Sequence, residues 1–361
     1  MKKLKLLGVL PSYSSGGAEK ITLKYFRNID QRPFFLKLFV IDKTGPLKNN
    51  KVDALNFSYK RFLYAIPNLI FYVRKNKVNV IFSTFPHITI ILLLTKILKL
   101  HNSSIVVRQP NMLVASLTKS LKLRLIKFLY MELINYADII LVTSQAMMQE
   151  AIGNGFNKKK LFLISNPVNI RDIRKGIIPK RTKGLGIKLV FVGRLTYQKG
   201  LDRVIKLLCK IENIELLVIG EGELKKNLKK ICKENLVDKK VTFLGFLSNP
   251  YNFVAGSDYF LLPSRWEGMP NCVLESLALG TPVISFKEIE PLNDLKENIS
   301  NKSIILEKNE NSLLKLLKNL KPRKDYLKPN LRKNLLLNSL NDYEYTKKVD
   351  KIILNAVCKK K

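Results

Sequence analysis

A chain of 361 residues with 46% hydrophobic and 25% charged side chains has a soluble, globular composition and is long enough for two domains of ordinary size. Its 64 Lys and Arg against 28 Asp and Glu leave a formal net charge of +36, a surface that draws polyanions such as nucleic acid, an anionic membrane or phosphorylated substrates. Cys209, Cys232, Cys272 and Cys358 are too far apart for metal or redox spacing, which sets aside disulfide and zinc frameworks and points to a reducing compartment.

The first ten residues carry lysines and a few apolar side chains, but Lys5 interrupts them and Pro11 ends them too early for a signal peptide. Leu6 to Leu10 therefore reads as a first buried strand. PSYSSGGAEK follows and leads into a helix with Ile21, Tyr25 and Ile29 on one face, where Gly16 and Gly17 let the backbone approach an anion at the helix start. Glu19 suits the first turn of that helix as a favourable charge. Further strands are expected at Phe35 to Ile41, Val78 to Phe82, Ile105 to Val107, Ile139 to Val142 and Leu161 to Ile164. His87 follows the strand Val78 to Phe82, the third of this half, and Arg108, in VVRQPN, follows the fourth, Ile105 to Val107. The longest apolar run, Ile88 to Leu100, is broken by Lys96 and Lys99 and is too short to span a bilayer.

Two stretches in this half mix apolar and basic residues. FSYKRFLYAIPNLIFYVRKNK, residues 57–77, interleaves aromatics with bases, and TKSLKLRLIKFLY, residues 118–130, sets leucines among cations. On a helical wheel Leu121, Leu125, Phe128 and Leu129 share a face expected to pack inward. Leu123, Ile126 and Tyr130 fall among Lys119, Lys122 and Lys127 on a face suited to a membrane interface, where each lysine contributes about 1 kcal/mol. An ordinary solvated basic surface accounts for the same pattern. Residues 1–170 carry net +19 and the rest +17, and Lys, Asn, Ile and Leu dominate throughout, so compositional drift explains the charge as readily as function does.

Residues 171–186, RDIRKGIIPKRTKGLG, are rich in Lys, Arg, Gly and Pro, show no period and read as a linker. A second strand series then runs through Ile187 to Val192, Glu215 to Ile219, Val241 to Leu244, Tyr259 to Leu262 and Val283 to Phe286, and the last sixty residues are mainly helical. The strand at Val192 ends in GRLTYQKG, with Gly193, Arg194, Lys199 and Gly200 before an amphipathic helix. Gly220 and Gly222 follow the next strand, and Gly245 and Phe246 the one after. The fourth strand leads into SRWEGMPNCVLESLALGTPVISF, which sets Glu267 in a loop and Glu275 on a helix opened by Pro270 and Asn271 and closed by Gly280. At the carboxyl end of a parallel strand, beside helix-start amides of Gly268, Met269 and Asn271, such a loop suits a phosphate.

The frame E-G-M-P-N-x-x-x-E, with G-R-x-x-x-x-K-G upstream and G-G-A-E near the N-terminus, resembles the E-x7-E signature of the bacterial retaining glycosyltransferases of family 4. The resemblance implies a GT-B fold, two Rossmann-like parallel-sheet domains facing a central cleft. Residues 1–170 would be the acceptor side, residues 187–342 would bind the donor, and a helix near 343–361 would cross back. It implies that Arg194 and Lys199 neutralise a donor diphosphate, that Glu267 lies beside the donor sugar and that Glu275 holds the ribose hydroxyls. Gly16 and Gly17 would face the diphosphate, Gly193, Gly220, Gly222, Gly245 and Phe246 would line the nucleotide, His87 would touch the sugar, and Arg108 would reach an acceptor phosphate. NPVNI, residues 166–170, matches a mainly structural interdomain segment.

With no Asp-x-Asp pair and no histidine in metal-ligand spacing, the expected enzyme is metal-independent and needs no cofactor. It would move a hexose or N-acetylhexosamine from a nucleotide-diphosphate sugar, with UDP favoured, to a glycan acceptor. A lipid-linked acceptor in capsule, O-antigen or other surface polysaccharide assembly would place it in the cytoplasm, peripheral on the anionic inner leaflet. A nucleotide-sugar 2-epimerase of the same architecture would need no acceptor. A nucleic-acid-binding protein fits the charge, but no reader motif is present and the bases spread through both halves, so no specific nucleic acid is expected.

Overall fold

The computed structural model describes residues 3–14, 16–48, 52–59, 61–116, 121–182, 186–296, 299, 303–322, 332–336 and 339–358. The chain divides into two compact units, Met1–Pro167 with Leu340–Lys361, and Val168–Ser339.

The first unit holds β1 (Leu4–Ser12), β2 (Phe34–Asp42), β3 (Ala54–Asn56), β4 (Val80–Ser83), β5 (Ser104–Arg108), β6 (Ile139–Val142) and β7 (Leu161–Leu163). They form one parallel sheet in the order β3-β2-β1-β4-β5-β6-β7. Its central strands are near-continuous apolar runs because both faces are covered. Between them run α1 (Gly17–Asn28), α2 (Phe62–Lys75), α3 (Pro86–Ile97), α4 (Leu113–Ser116), α5 (Leu121–Leu133) and α6 (Gln145–Gly153). Ala65, Leu69 and Val73 of α2, Ile88 and Leu92 of α3 and Tyr130 of α5 pack in one core, and Ile21, Tyr25 and Phe26 of α1 in another.

The second unit holds β8 (Ile187–Val192), β9 (Ile214–Ile219), β10 (Val241–Gly245), β11 (Tyr259–Leu262), β12 (Val283–Phe286) and β13 (Ile304–Glu307), parallel in the order β10-β9-β8-β11-β12-β13. Its helices are α7 (Ile170–Arg174), α8 (Leu201–Ile205), α9 (Lys225–Glu234), α10 (Tyr251–Gly256), α11 (Asn271–Ala278), α12 (Pro291–Lys296) and α13 (Glu310–Asn319). The strand order reverses between β8 and β11, the kind of switch point at which open α/β sheets bind ligands.

Helix α14 (Asp342–Cys358) belongs to the first unit and lies on α1. Tyr345, Val349 and Ile353 enter the core there, and Tyr25 donates a 2.8 Å hydrogen bond to Asp350. Burial, partly opposed by that bond, lifts the Asp350 carboxyl to about 6. A folded pKa above the unfolded value stabilises at low pH, fully below about pH 4, and the contribution is lost as pH rises through about 6. Asp350→Asn is therefore expected to raise stability at pH 7.5 by roughly 1–3 kcal/mol and to change it far less at pH 4. Chemical denaturation at both pH values checks this, and a variant less stable than the parent at pH 7.5 would contradict it.

Four features depart from the sequence reading. Strands β3 and β13 were not expected; both lie at sheet edges, where one neighbour suffices and a long apolar run is not required. The periodless segment 171–186 begins with α7, whose buried Ile173 packs into the second core while Arg174 donates to the carbonyls of Ala278 and Arg332, both at 2.7 Å. The last sixty residues include β13. Finally, the two faces of α5 are reversed at every apolar position except Leu129, which packs inward as expected. Tyr130 is buried with its hydroxyl donating to Gln109 at 2.6 Å, and Leu123, Ile126 and Leu129 lie against the core. Leu121, Leu125 and Phe128 instead point outward, 83%, 58% and 60% exposed. A wheel with leucines on both sides does not reveal which side finds a sheet; the buried acceptor for Tyr130 decides it.

Candidate active site

In the second unit the candidate residues gather at the carboxyl ends of four adjacent strands, β10, β9, β8 and β11. Main-chain hydrogen bonds lace their loops together: Gly193 N–H to Ile219, Leu195 N–H to Glu221 and Gly220 N–H to Gly245, at 3.0, 2.9 and 2.7 Å. Gly220 has φ +144°, and a Cβ there would lie 1.9 Å from the Gly193 carbonyl oxygen, so only glycine permits this approach. Gly222 is similarly tight, with a Cβ position 2.5 Å from the Leu195 oxygen. These glycines are thus required by loop packing, whatever they do for a ligand. Gly245 adjoins Glu221, and Phe246 stands exposed beside it.

The β8 and β11 loops are strapped to each other. Arg265 N–H donates to the Gln198 carbonyl at 2.7 Å, Gln198 donates back to the Trp266 carbonyl at 3.0 Å, and Arg265 forks onto Asp202 at 2.9 and 2.7 Å while stacking over Tyr197. This strap brings two of the candidates into contact: Lys199 Nζ lies 2.6 Å from Glu267 Oε1. Ser264 Oγ donates to the same oxygen at 2.6 Å, and Glu267 is buried. Burial is the largest influence on Lys199 and lowers its pKa, but the attraction of Glu267, with smaller contributions, outweighs it and the ammonium is held above its ordinary value. Arg194 is exposed, acts on Lys199 as a like charge, and its side chain makes no hydrogen bond or ion pair among the described residues.

Pro270 caps α11 in an extended conformation without a side-chain cap, leaving the positive end of the helix beside Glu267. Gly268 and Met269 are buried in the connection, and Asn271 starts the helix. Glu275, one turn along, accepts a hydrogen bond from Tyr251 of α10, and burial foremost, then the charge of Glu275 and that bond, raises the phenol's pKa. Cys272 lies near Lys199, Glu267 and Glu275; burial foremost pushes its thiol up to about 12, so it stays protonated and unreactive. Among the described residues no group of three or more His, Cys, Asp and Glu side chains is placed to hold a metal ion.

In the first unit Gly16, Gly17, His87 and Arg108 follow or end the neighbouring strands β1, β4 and β5. Gly16 caps α1, and Glu19 folds back beside it to accept from Ser14, closing the loop. His87 stands at the start of α3 with the rings of Phe62 and Phe85 each 6.1 Å away. Although the residue is exposed overall, desolvation of its ring, and secondarily Lys122, depress its pKa, so the imidazole is neutral at pH 7. Arg108 departs from its expected place: it is only 3% exposed, with one nitrogen 2.7 Å from Asn166 Oδ1 and its Nε and Nη1 buried without a partner among the described residues. That position is a packed interior rather than an open acceptor surface.

Sequence reasoning missed Ser264, the Arg265–Asp202 clasp, Tyr251 and Thr196, whose hydroxyl is buried without a partner among the described residues. Ser264 could have been found, three residues before Glu267 in one loop. The clasp joins residues 63 apart and leaves no local signal.

The fold is of the GT-B class, two parallel-sheet α/β domains in one chain. Anabaena HepE, solved in complex with UDP and glucose, superposes with a TM-score of 0.77 over 98% of this chain and 100% of that one, at 15% identity. Residues 173–337 match the family described as Glycosyl transferases group 1. An uncharacterised glycosyltransferase of Methanocaldococcus jannaschii is 32% identical over 208 residues, 54% of this chain and 51% of that protein. The N-acetylgalactosamine-N,N'-diacetylbacillosaminyl-diphospho-undecaprenol 4-alpha-N-acetylgalactosaminyltransferase of Campylobacter jejuni is 29% identical over 197 residues, 53% of each chain. The chain thus spans about half the length of these curated relatives.

Proposed function

We propose that this protein is a retaining, metal-independent glycosyltransferase that moves a hexose or N-acetylhexosamine from a UDP-sugar to a lipid-linked glycan in surface polysaccharide assembly. The observation that carries the reading is the Lys199–Glu267 contact of 2.6 Å with Arg194, unpaired among the described residues, close enough to act on Lys199, at the switch point of the second sheet. Two cations and a helix start there suit a diphosphate, and a carboxylate held from one oxygen suits sugar hydroxyls. The Campylobacter jejuni relative, whose name specifies an undecaprenol-diphosphate acceptor, supports the acceptor class.

In this reading the bond between the anomeric carbon and the diphosphate oxygen breaks as an acceptor hydroxyl bonds to the same face. The departing phosphate oxygen takes the hydroxyl proton, while Arg194 and Lys199 balance the charge that develops on it. Glu267 orients the sugar, Glu275 the ribose, and neutral His87 offers a hydrogen bond without adding charge.

A thermal-shift panel of UDP-, GDP- and ADP-sugars in excess EDTA tests the donor. A UDP-sugar is expected to raise Tm without metal. Silence across the panel would remove the nucleotide-sugar reading, and stabilisation or turnover only with manganese would remove its metal-free form. Inversion at the product's anomeric carbon, read by NMR, would remove retention.

A further inference from the structure

Lys199 is the last residue of a single 3-10 turn, Tyr197–Lys199, and Gly200 leads it straight into α8, which has only five residues. A helix that short has no stability of its own, so its direction, and with it that of Lys199, is set by whatever holds its first turn. Two adjacent side chains of that turn reach different neighbours. Asp202 takes the two-nitrogen fork of Arg265, from the β11 loop, at 2.9 and 2.7 Å. Arg203 reaches one strand further: its guanidinium lies 3.9 Å from the centre of the Phe286 ring at the end of β12, pairs with Glu288 in the loop that follows, and donates from Nε to Glu310 at the start of α13 at 3.0 Å. Arg203 N–H also donates to the Gly200 carbonyl at 3.1 Å, so a grip on this residue is passed to the one beside Lys199.

Each of the two is already matched by opposite charge, Asp202 by Arg265 and Arg203 by Glu288 and Glu310, so neither offers an unmatched charge to a ligand. What they share is the segment that carries Lys199, and a displacement of about 1 Å in such a group is enough to lose a large part of its effect. We propose that Asp202 and Arg203 are positioning residues that aim Lys199 at the donor diphosphate, gripping the start of α8 from the β11 and β12 sides.

The role rests on the diphosphate reading of Lys199, and calorimetric titration of the full chain with UDP and with uridine separates the two. Uridine lacks the diphosphate. Asp202→Ala and Arg203→Met are each expected to weaken UDP about tenfold, the size of one charge-assisted hydrogen bond, and to leave uridine affinity and Tm nearly unchanged, since these ion pairs are partly solvent-exposed. In a Lys199→Ala background neither should weaken UDP further, because the group they aim is gone. A parent that ignores UDP, or a Lys199→Ala variant that binds it normally, removes the diphosphate reading and this inference with it. A parent that binds UDP through Lys199, beside Asp202 and Arg203 variants that bind it equally well, overturns the positioning role alone. So does a loss shared by uridine, or one that persists undiminished without Lys199, either of which assigns the two residues to the general folding of the second unit.

Discussion

Replacing Lys199 with Ala, or Glu267 with Gln, is expected to lower turnover by roughly 10²-fold or more in each case, by analogy with the loss of one charge-stabilising donor. Lys199 and Glu267 hold each other at 2.6 Å and Ser264 fixes the carboxylate from behind, so either change also frees its partner. The double variant should therefore cost scarcely more than the worse single one, a strong non-additivity. Arg194→Ala, which breaks no hydrogen bond or ion pair among the described residues, should lose turnover with little change in Tm. Glu275→Gln should act mainly on nucleotide affinity. Steady-state kinetics with a UDP-sugar, alongside Tm, separates these outcomes; normal turnover in Lys199→Ala or Arg194→Ala would end the diphosphate assignment.

Asp258→Ala should produce the largest loss of stability. Asp258 is fully buried at the start of β11, its Oδ2 accepting from Lys188 N–H at 2.7 Å and pairing with Arg181 at 2.9 Å. Arg181 also donates to the Gly186 carbonyl at 3.1 Å, so the carboxylate anchors the incoming segment to the sheet. Removing one partner of a buried pair leaves an uncompensated cation and a bare backbone donor, at a cost of about 3–5 kcal/mol. Asp258→Asn keeps an acceptor and should lose less. Denaturant unfolding followed in the second unit measures both, and a loss below about 1 kcal/mol for the alanine variant would show that water replaces the carboxylate.

Legibility followed the distance over which each signal acts. The run Tyr259 to Leu262, the loop with Glu267 and the helix from Asn271 to Gly280 were readable because strand, proline start and glycine stop are local. The Lys199–Glu267 contact was not, since it depends on β8 and β11 being neighbours, 68 residues apart in the chain. Arg108 illustrates the same limit: a basic residue at a strand end looks available until Asn166 and the returning Tyr345 close over it. On α5 the period was right and the sign wrong, because amphipathicity identifies two faces without naming the one that meets the sheet.

The glycine contacts among the β8, β9 and β10 loops bear on how the site changes over evolutionary time. Bonds between peptide groups take no account of side-chain identity, and the tightest approach, Gly220 against the Gly193 carbonyl, uses no side chain at all. Exposed neighbours such as Phe246 can therefore be exchanged without unseating the floor beneath them. Drift in those outer residues would retune which base and sugar are accepted, while a single methyl added at Gly220 would dislodge the whole platform.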